Sequence, residues 1–247
     1  MANIVALIPA RSGSKRISNK NVKELQGHPL IAYSINLAFE SGLFSKVFVS
    51  SDSETILEKS LQYGDIIPVI RPEKLSQDNS PDIEWVKHAI ETQNIGNSMK
   101  TYLTILRPTN PLRSINSIQQ AHLLFQETVD FDSLRAMQPV KQHPGKIWQL
   151  NQDSGIAIPL LNQSTDKAPW HSSPTNFLPQ YFYQDASLEI TTVENILKNN
   201  SISGTKVLGW VSDPNEGFDL NTEQDWDYLI YLLEQGIIKL PNLSKRP

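Results

Sequence analysis

Residues 4–20 read IVALIPARSGSKRISNK, and this stretch gives the strongest indication of the fold. The run 4–8 is apolar, rich in β-branched residues and closed by Pro9, which predicts a buried β-strand. Small residues and cations follow it. The backbone N–H groups of such a loop can bind an anion, and Gly13 permits a positive φ. The pattern predicts an anion site that suits a triphosphate, directly after the first strand.

Positive charge is concentrated at this end of the chain. The first 23 residues contain five lysines and arginines and no acidic residue, whereas all 247 residues contain 22 basic and 26 acidic ones, a net charge of −4. A solvated basic arm is the alternative interpretation, but such arms are usually polar throughout and do not begin with a buried strand. Because no second basic stripe is present, we expect no nucleic-acid partner.

The composition restricts the setting in which the protein works. The chain has no cysteine, which excludes disulfides, thiolate nucleophiles and Cys-bound zinc and fits a reducing cytoplasm. No apolar stretch approaches the ~20 residues that span a bilayer. The apolar run near the N-terminus is followed by positive charge rather than preceded by it, unlike a secretory signal. We therefore expect a cytoplasmic protein with no membrane partner.

Strand-like and helix-like segments alternate along the chain. The predicted strands are 4–8, 46–50, 66–70, 101–106 and 206–211; the predicted helices are 29–39, 53–63, 80–92, 114–125, 193–198 and 222–234; an ordered segment is expected at 187–191. Strands separated by helices predict a three-layer, Rossmann-like α/β fold with a mostly parallel sheet, as one domain over 1–247.

The alternation is interrupted at 138–184, which contains six prolines and no convincing helix. We interpret this segment as a small insertion of loops and a β-hairpin. Its apolar residues have no period long enough to bury them alone, which predicts that the insertion packs against a second copy in a two-fold homodimer.

Two common phosphate-binding motifs are missing from the sequence. Gly13 stands alone, so the loop contains neither Gly-x4-Gly-Lys-Ser/Thr nor Gly-x-Gly-x-x-Gly. A hydride-transfer enzyme is therefore disfavoured.

Five ordered motifs resemble the acylneuraminate cytidylyltransferases, which are the CMP-sialic acid synthetases and their relatives that act on pseudaminic and legionaminic acids. The matching stretches are IPARSGSKR at 8–16 with Lys20-Asn21, SSDSE at 50–54, RPEKLSQD at 71–78, RPTNPLR at 107–113 and GFDLNTEQDW at 217–226. The resemblance implies a nucleotidyltransferase fold and transfer of CMP from CTP to the anomeric hydroxyl of a nonulosonic acid, an acidic nine-carbon sugar. Pyrophosphate is the implied second product and Mg²⁺ the implied cofactor.

The resemblance also assigns roles to single residues. It implies catalytic roles for Lys20, Arg11 and Asp219; nucleotide binding by Arg11, Ser12, Gly13, Ser14, Lys15, Lys20, Asn21 and Arg71; sugar binding by Arg107 and Lys146; and metal binding by Asp219 and Asn221. The cations agree with the chemistry, because phosphoryl-type transfer needs positive charge around the developing negative charge. Asp219 follows the strand 206–211 by a turn, which should place it at the carboxyl edge of the sheet, where open α/β folds bind ligands.

Several alternatives stay open at this stage. The segment 219–222, which contains Asp219, could instead only cap the last helix. Arg107 stands where the commonest sialate pattern has Gln, and it could read a substrate carboxylate or be a structural Arg with a salt bridge at the strand end. Many relatives have a second Asp at the position of Asn221, and Asp185-Ala186 stands where relatives often have Asn-Gly.

The acceptor and the function class therefore stay open as well. The alternative within the class is another acidic sugar, such as 3-deoxy-manno-octulosonate, or another NTP. The alternative from a different class is a non-catalytic sugar-nucleotide-binding protein.

Overall fold

The structure is a computed structural model that describes residues 3–96 and 100–245. Its strands are β1 (Asn3–Pro9), β2 (Glu24–Leu25), β3 (His28–Pro29), β4 (Lys46–Ser51), β5 (Ile67–Ile70), β6 (Thr101–Ile105), β7 (Ser133–Pro139), β8 (Trp148–Leu150), β9 (Ala157–Pro159), β10 (Phe182–Thr192) and β11 (Val207–Val211). Its α-helices are α1 (Leu30–Glu40), α2 (Glu54–Leu61), α3 (Asp82–Thr92), α4 (Ile115–Glu127), α5 (Val193–Asn199) and α6 (Glu223–Glu234). None of the helices in these ranges combines the length and the apolar character that a membrane crossing requires.

Within the described residues the main sheet has seven strands, in the order β11-β7-β10-β6-β1-β4-β5. Strand β1 pairs in parallel with β4 and β6, and β4 pairs in parallel with β5. Strand β10 is antiparallel to β6. The prediction of a mostly parallel α/β sheet is confirmed.

Helices cover both faces of this sheet. Successive side chains of a strand point to opposite faces, so neighbouring residues of β1 pack against different helices. Ala6 and Ile8 belong to a buried cluster with apolar residues of α1, α2 and α4. Val5 and Leu7 belong to a second cluster with residues of α3 and α5. The predicted three-layer arrangement is therefore confirmed.

Strand β7 is a part of the sheet that the hydrophobic pattern of the sequence does not predict. Its centre carries Arg135, a charged residue that is only 7% exposed. Arg135 forms an ion pair with Glu189 of β10, which is 2% exposed. A buried charge is tolerated when it is paired, so an interior strand can contain a residue that a hydrophobic pattern excludes.

Residues Met137–Gln184 form a compact unit of their own, and Met1–Ala136 with Asp185–Pro247 form the other. The smaller unit, called the hairpin unit below, contains the antiparallel pair β8–β9. It also contains an aromatic cluster in which the ring of His143 makes edge contacts with those of Trp170 and Tyr181, at centroid distances of 5.7 and 5.2 Å. The loops and hairpin expected in this segment are thus present, and the homodimer stays a prediction.

Candidate active site

The parallel strands β1, β4, β5 and β6 end at one edge of the sheet, the edge at which open α/β folds bind ligands. The loop 10–19 after β1, called the N-terminal loop below, leaves this edge. The Asp219 segment (residues 213–222) joins it there. Leu220 N–H donates to the Thr109 carbonyl at 2.9 Å, and the Asn110 amide donates to the Phe218 carbonyl at 3.1 Å. The structure thereby brings the Asp219 segment to the loops at the carboxyl ends of the strands.

Two predicted phosphate-binding cations share one carboxylate. Arg11 Nη2 and Lys15 Nζ lie 2.8 and 2.7 Å from the two oxygens of Asp78. Arg11 also donates to the Ser76 carbonyl at 3.3 Å. The hydrogen bonds from Lys15 and Arg11 hold the pKa of Asp78 below its usual value. The two cations therefore converge on a single anionic group, as they would on a phosphate.

The backbone of the N-terminal loop differs from the expectation of open N–H groups. Ser12 N–H and Ser12 Oγ donate to the two oxygens of Asp52 at 2.8 and 2.6 Å, and Ser14 N–H donates to the Ser12 carbonyl at 2.8 Å. The φ of Gly13 lies outside the left-handed region, and a Cβ added to it would meet no described atom within 4 Å. The expectation that Ser12, Gly13 and Ser14 leave their N–H groups open was wrong for the serines, because Asp52 and a local turn bind them. The space beside Gly13 is open.

Lys20 and Asn21 follow this loop and hold it in place. Asn21 is 7% exposed, and its amide donates to the Arg11 carbonyl at 2.8 Å. Lys20 Nζ donates to the Leu220 carbonyl at 2.8 Å. Burial lowers the pKa of the Lys20 amine, Asp219 acts in the opposite direction, and Arg16 and Arg11 lower it further. Lys20 thus connects the N-terminal loop to the Asp219 segment.

The carboxylate of Asp219 is held on one oxygen. Asn221 Nδ2 donates to Asp219 Oδ2 at 2.6 Å, and Arg16 Nη2 donates to Asn221 Oδ1 at 3.0 Å. Asp219 Oδ1 is buried and has no hydrogen-bond partner among the described residues. A buried acceptor without a partner is costly unless an ion or water binds it, so this oxygen is suited to a cation.

The cap of helix α6 lies in the segment 219–222 that the alternative names, at Thr222 and not at Asp219. The N-cap is Thr222, whose hydroxyl accepts from Asp225 N–H at 3.2 Å, while Asp225 Oδ2 accepts from Thr222 N–H at 2.7 Å. This reciprocal capping box satisfies the helix terminus without Asp219.

Arg71 is almost fully buried at the end of β5. Its guanidinium donates to Ser50 Oγ at 3.1 Å and to the Ser50 carbonyl at 3.0 Å, and it lies 4.7 Å from the centroid of the Trp85 ring. Burial lowers the pKa of Arg71 to about 10, so it stays charged at neutral pH. Its predicted contact with the nucleotide stays a prediction.

Arg107 forms salt bridges at the end of β6, as the alternative of a structural arginine predicts. Its Nη2 is 2.6 Å from Asp82 Oδ2 and 2.7 Å from Glu189 Oε1, and its Nε donates to the same Glu189 oxygen at 3.0 Å. Burial alone would lower the pKa of Arg107, but Glu189 and Asp82 more than offset it and raise the pKa. One edge of its guanidinium is therefore occupied, and sugar binding by Arg107 stays a prediction.

Lys146, the second predicted sugar-binding residue, belongs to the hairpin unit. It ends a 3-10 turn at Pro144–Lys146, and its backbone N–H donates to the His143 carbonyl at 2.9 Å. Its role also stays a prediction.

The sequence motifs assign no role to three charged residues that the structure places at the site: Arg16, Asp52 and Asp78. Asp52 and Asp78 lie inside quoted motifs, but their partners are 40 and more than 60 positions away in the chain. Arg113 is a fourth such residue. It is 6% exposed and donates to the carbonyls of Ser187 and Arg107, both at 2.8 Å. Burial lowers the pKa of Arg113 to about 9, against the opposing effects of Glu216, Asp219 and Asp185.

Fold and site define an α/β protein whose cationic loop after β1 faces an acidic segment at the carboxyl edge of the sheet. The structure of CMP:2-keto-3-deoxy-manno-octonic acid synthetase complexed with CTP has the same fold. It aligns with a TM-score of 0.64 at 13% identity, over 95% of this chain and 100% of that one. The sequence model of the cytidylyltransferases matches residues 5–142. The chain belongs to the cytidylyltransferase family.

Two curated relatives are similar to this chain over different lengths. The CMP-N,N'-diacetyllegionaminic acid synthase of Legionella pneumophila is 30% identical over 233 residues, which are 94% of this chain and 96% of the relative. The pseudaminic acid cytidylyltransferase of Campylobacter jejuni is 41% identical over 121 residues, which are 49% of this chain and 52% of the relative. The chain spans about half the length of several of the curated relatives that it matches.

Proposed function

We propose that this protein transfers CMP from CTP to the anomeric hydroxyl of a nonulosonic acid and releases pyrophosphate. The observation that carries the proposal is the meeting of the N-terminal loop and the Asp219 segment, where Lys20 Nζ lies 2.8 Å from the Leu220 carbonyl, next to Asp219. Cations and a carboxylate at the carboxyl edge are what nucleotidyl transfer requires. The near full-length similarity to a CMP-N,N'-diacetyllegionaminic acid synthase supports the same activity.

Different residues at this edge would bind different phosphates of the triphosphate. Arg11 and Lys15, which converge on one anionic group, bind the outer phosphates. Lys20 contacts the α-phosphate, where negative charge grows as the sugar oxygen bonds to phosphorus and the bond to pyrophosphate breaks. The open space beside Gly13 lets the chain approach the phosphates closely, with Ser12 and Ser14 on either side and Asn21 and Arg71 on the nucleoside side.

The donor set fits a magnesium ion. Mg²⁺ in proteins usually binds one or two carboxylates together with substrate phosphates and water. Asp219 Oδ1 is a buried oxygen without a partner among the described residues, and it is the oxygen that would hold the ion. Bound there, Mg²⁺ would supply neutralisation of the triphosphate charge. The described residues contain no group of three or more acidic or histidine side chains that could hold a metal alone, so the substrate phosphates would complete the coordination.

The acceptor is an acidic nine-carbon sugar, and the names of the relatives suggest a pseudaminic or legionaminic type. Arg107 and Lys146 are the residues that we propose for its recognition. Because the reaction consumes CTP, we expect it to take place in the cytoplasm.

The experiment is a pyrophosphate-release assay that crosses four NTPs with sialic, legionaminic, pseudaminic and octulosonic acids. We expect release with CTP and a nine-carbon acid, dependent on Mg²⁺. Asp219→Ala is the inactive control. Preference for the eight-carbon octulosonic acid or for another NTP would replace the proposed substrate. A lack of release with every pair, together with tight binding of a CMP-sugar, would favour a non-catalytic binding protein.

A further inference from the structure

The side chain of Asn221 connects a loop cation to the metal-binding candidate Asp219. Arg16 Nη2 donates to Asn221 Oδ1 at 3.0 Å, and Asn221 Nδ2 donates to Asp219 Oδ2 at 2.6 Å. A guanidinium can only donate and an ionised carboxylate can only accept, so the two partners determine which end of the amide is oxygen. The reverse orientation would place donor against donor and acceptor against acceptor. The three side chains thus form one directed chain of hydrogen bonds.

The backbone at this position is fixed as well. Asn221 N–H donates to Asp225 Oδ2 at 2.9 Å, the same carboxylate oxygen that accepts from Thr222 N–H in the capping box of α6. The backbone N–H of Asn221 is therefore held by a helix terminus, and its side-chain amide is held by Arg16. Its carbonyl oxygen already accepts a hydrogen bond from a cation, which is a poor starting position for a metal ligand.

We propose that Asn221 is a positioning residue and not a metal ligand. It holds Asp219 Oδ2 and thereby presents the buried Oδ1 as the protein oxygen for Mg²⁺. Through Arg16 it also ties that carboxylate to the N-terminal loop. The metal in this inference rests on the proposed function, but the hydrogen-bond chain is a property of the protein itself and can be tested without nucleotide.

The first test is Asn221→Asp, measured as the melting temperature in EDTA and in a Mg²⁺ titration. The substitution replaces the donor to Asp219 by a second carboxylate at 2.6 Å, and like charges at this separation repel. We expect a melting temperature lower by about 2–4 °C or more in EDTA, with recovery in millimolar Mg²⁺ because the ion can bind between the carboxylates. The matched control is Asn116→Asp on the exposed surface of α4, for which we expect no such loss and no such recovery.

The second test is a double-mutant cycle of Arg16→Met and Asn221→Leu, read as melting temperature in EDTA. A continuous chain predicts that the double variant loses less than the sum of the single variants. Additive effects would overturn the proposal, and so would an Asn221→Asp variant that behaves like Asn116→Asp. Coupling between Arg16 and Asn221 that is present in EDTA but lost in millimolar Mg²⁺ would show that Asn221 is a ligand, because the ion would then replace Arg16 at Asn221 Oδ1. Failure of the proposed function would give a different result: the wild-type protein would release no pyrophosphate, while the cycle would still show coupling.

Discussion

The cations in the N-terminal loop and directly after it already have protein partners. Arg11 and Lys15 share Asp78, Arg16 contacts Asn221, and Lys20 contacts the Leu220 carbonyl. A triphosphate that binds to Arg11, Lys15 and Lys20 must exchange these contacts for its own. The affinity then reflects the difference between two sets of charge-assisted hydrogen bonds, which is smaller than the contribution of the triphosphate contacts alone.

Lys20 should matter most in the transition state. We expect Lys20→Ala to lower kcat by more than about tenfold, because its charge is needed most when the charge on the α-phosphate grows. Initial rates of pyrophosphate release at saturating CTP measure the effect. Lys59→Ala, an exposed lysine on α2, is the control that should retain wild-type kcat. Near-wild-type kcat in Lys20→Ala would remove Lys20 from the catalytic residues.

Asp78 should compete with the triphosphate for Arg11 and Lys15. We expect Asp78→Asn to lower the KM for CTP by up to about fivefold, the effect typical of an exposed ion pair. Steady-state kinetics with CTP varied measure it, with the exposed Asp65→Asn as control. A raised KM would mean instead that Asp78 holds the two cations in a productive position.

The sequence identified most charged residues of the site but not their pairing. Arg11, Lys20 and Asp219 could be found because each lies in a stretch that resembles a motif of the acylneuraminate cytidylyltransferases. The contacts of Asp52 with Ser12 and of Asp78 with Lys15 join segments that no periodicity relates. Asn221 looked like a ligand in sequence, and only the positions of Arg16 and Asp219 reveal the two partners of its amide.

Glu189 is the centre of a buried charge cluster that joins β10, β7 and the end of β6. Its side chain is 3% exposed and pairs with Arg107 and Arg135. Glu189→Gln should lower the free energy of unfolding by about 3 kcal/mol, because two arginines lose a buried partner. Urea denaturation measures this. Glu194→Gln, which breaks an exposed pair with Lys198, should lower the free energy of unfolding far less, because water screens an exposed ion pair. Equal losses in the two variants would contradict a structural role for the cluster.

His122 should make the contact between β6 and α4 sensitive to acid. Its Nε2 lies 2.8 Å from Thr104 Oγ1, and burial lowers its pKa from 6.5 to about 4. Since the unfolded chain takes up a proton at higher pH than the folded one, stability falls as the pH drops from 6.5 toward 4. Between pH 7 and pH 5 the loss should be about 2 kcal/mol. Urea denaturation of wild type and His122→Gln at both pH values measures it. An unchanged pH dependence in the variant would contradict the assignment.

Hydrophobic periodicity was sufficient to predict the apolar strands and insufficient to predict a strand that contains a buried charge. Strands β1, β4, β5 and β6 are apolar runs between helices, and the sequence predicts each of them. Strand β7 contains the buried Arg135, whose partner Glu189 lies more than 50 positions later. Such a strand becomes recognisable only when both members of the ion pair are placed side by side.

Exposed apolar residues of the hairpin unit favour assembly of two copies of the protein. The register of β8 and β9 places Ile147, Ile156, Ile158 and Leu160 on one face. These four side chains are 40–60% exposed. Contiguous exposed apolar surface of this kind typically marks an interface.

We expect a homodimer at micromolar concentration that buries well over ~1,000 Å². Sedimentation velocity of the wild type measures the association. Ile158→Asp should shift the protein toward monomer. Val129→Asp, equally apolar to charged and 77% exposed in the larger unit, should leave the dimer intact. A monomeric wild type would contradict this prediction.

³¹P NMR of the reaction mixture distinguishes transfer of CMP to an acidic sugar from any other use of CTP. With CTP, Mg²⁺ and the preferred nonulosonic acid, we expect the signal of a CMP-sugar phosphodiester and pyrophosphate in equal amounts. Lys20→Ala and Asp219→Ala should form neither at a comparable rate. Consumption of CTP to free CMP or CDP without a sugar-linked phosphodiester, or no consumption with any acidic sugar, would contradict the proposed transfer.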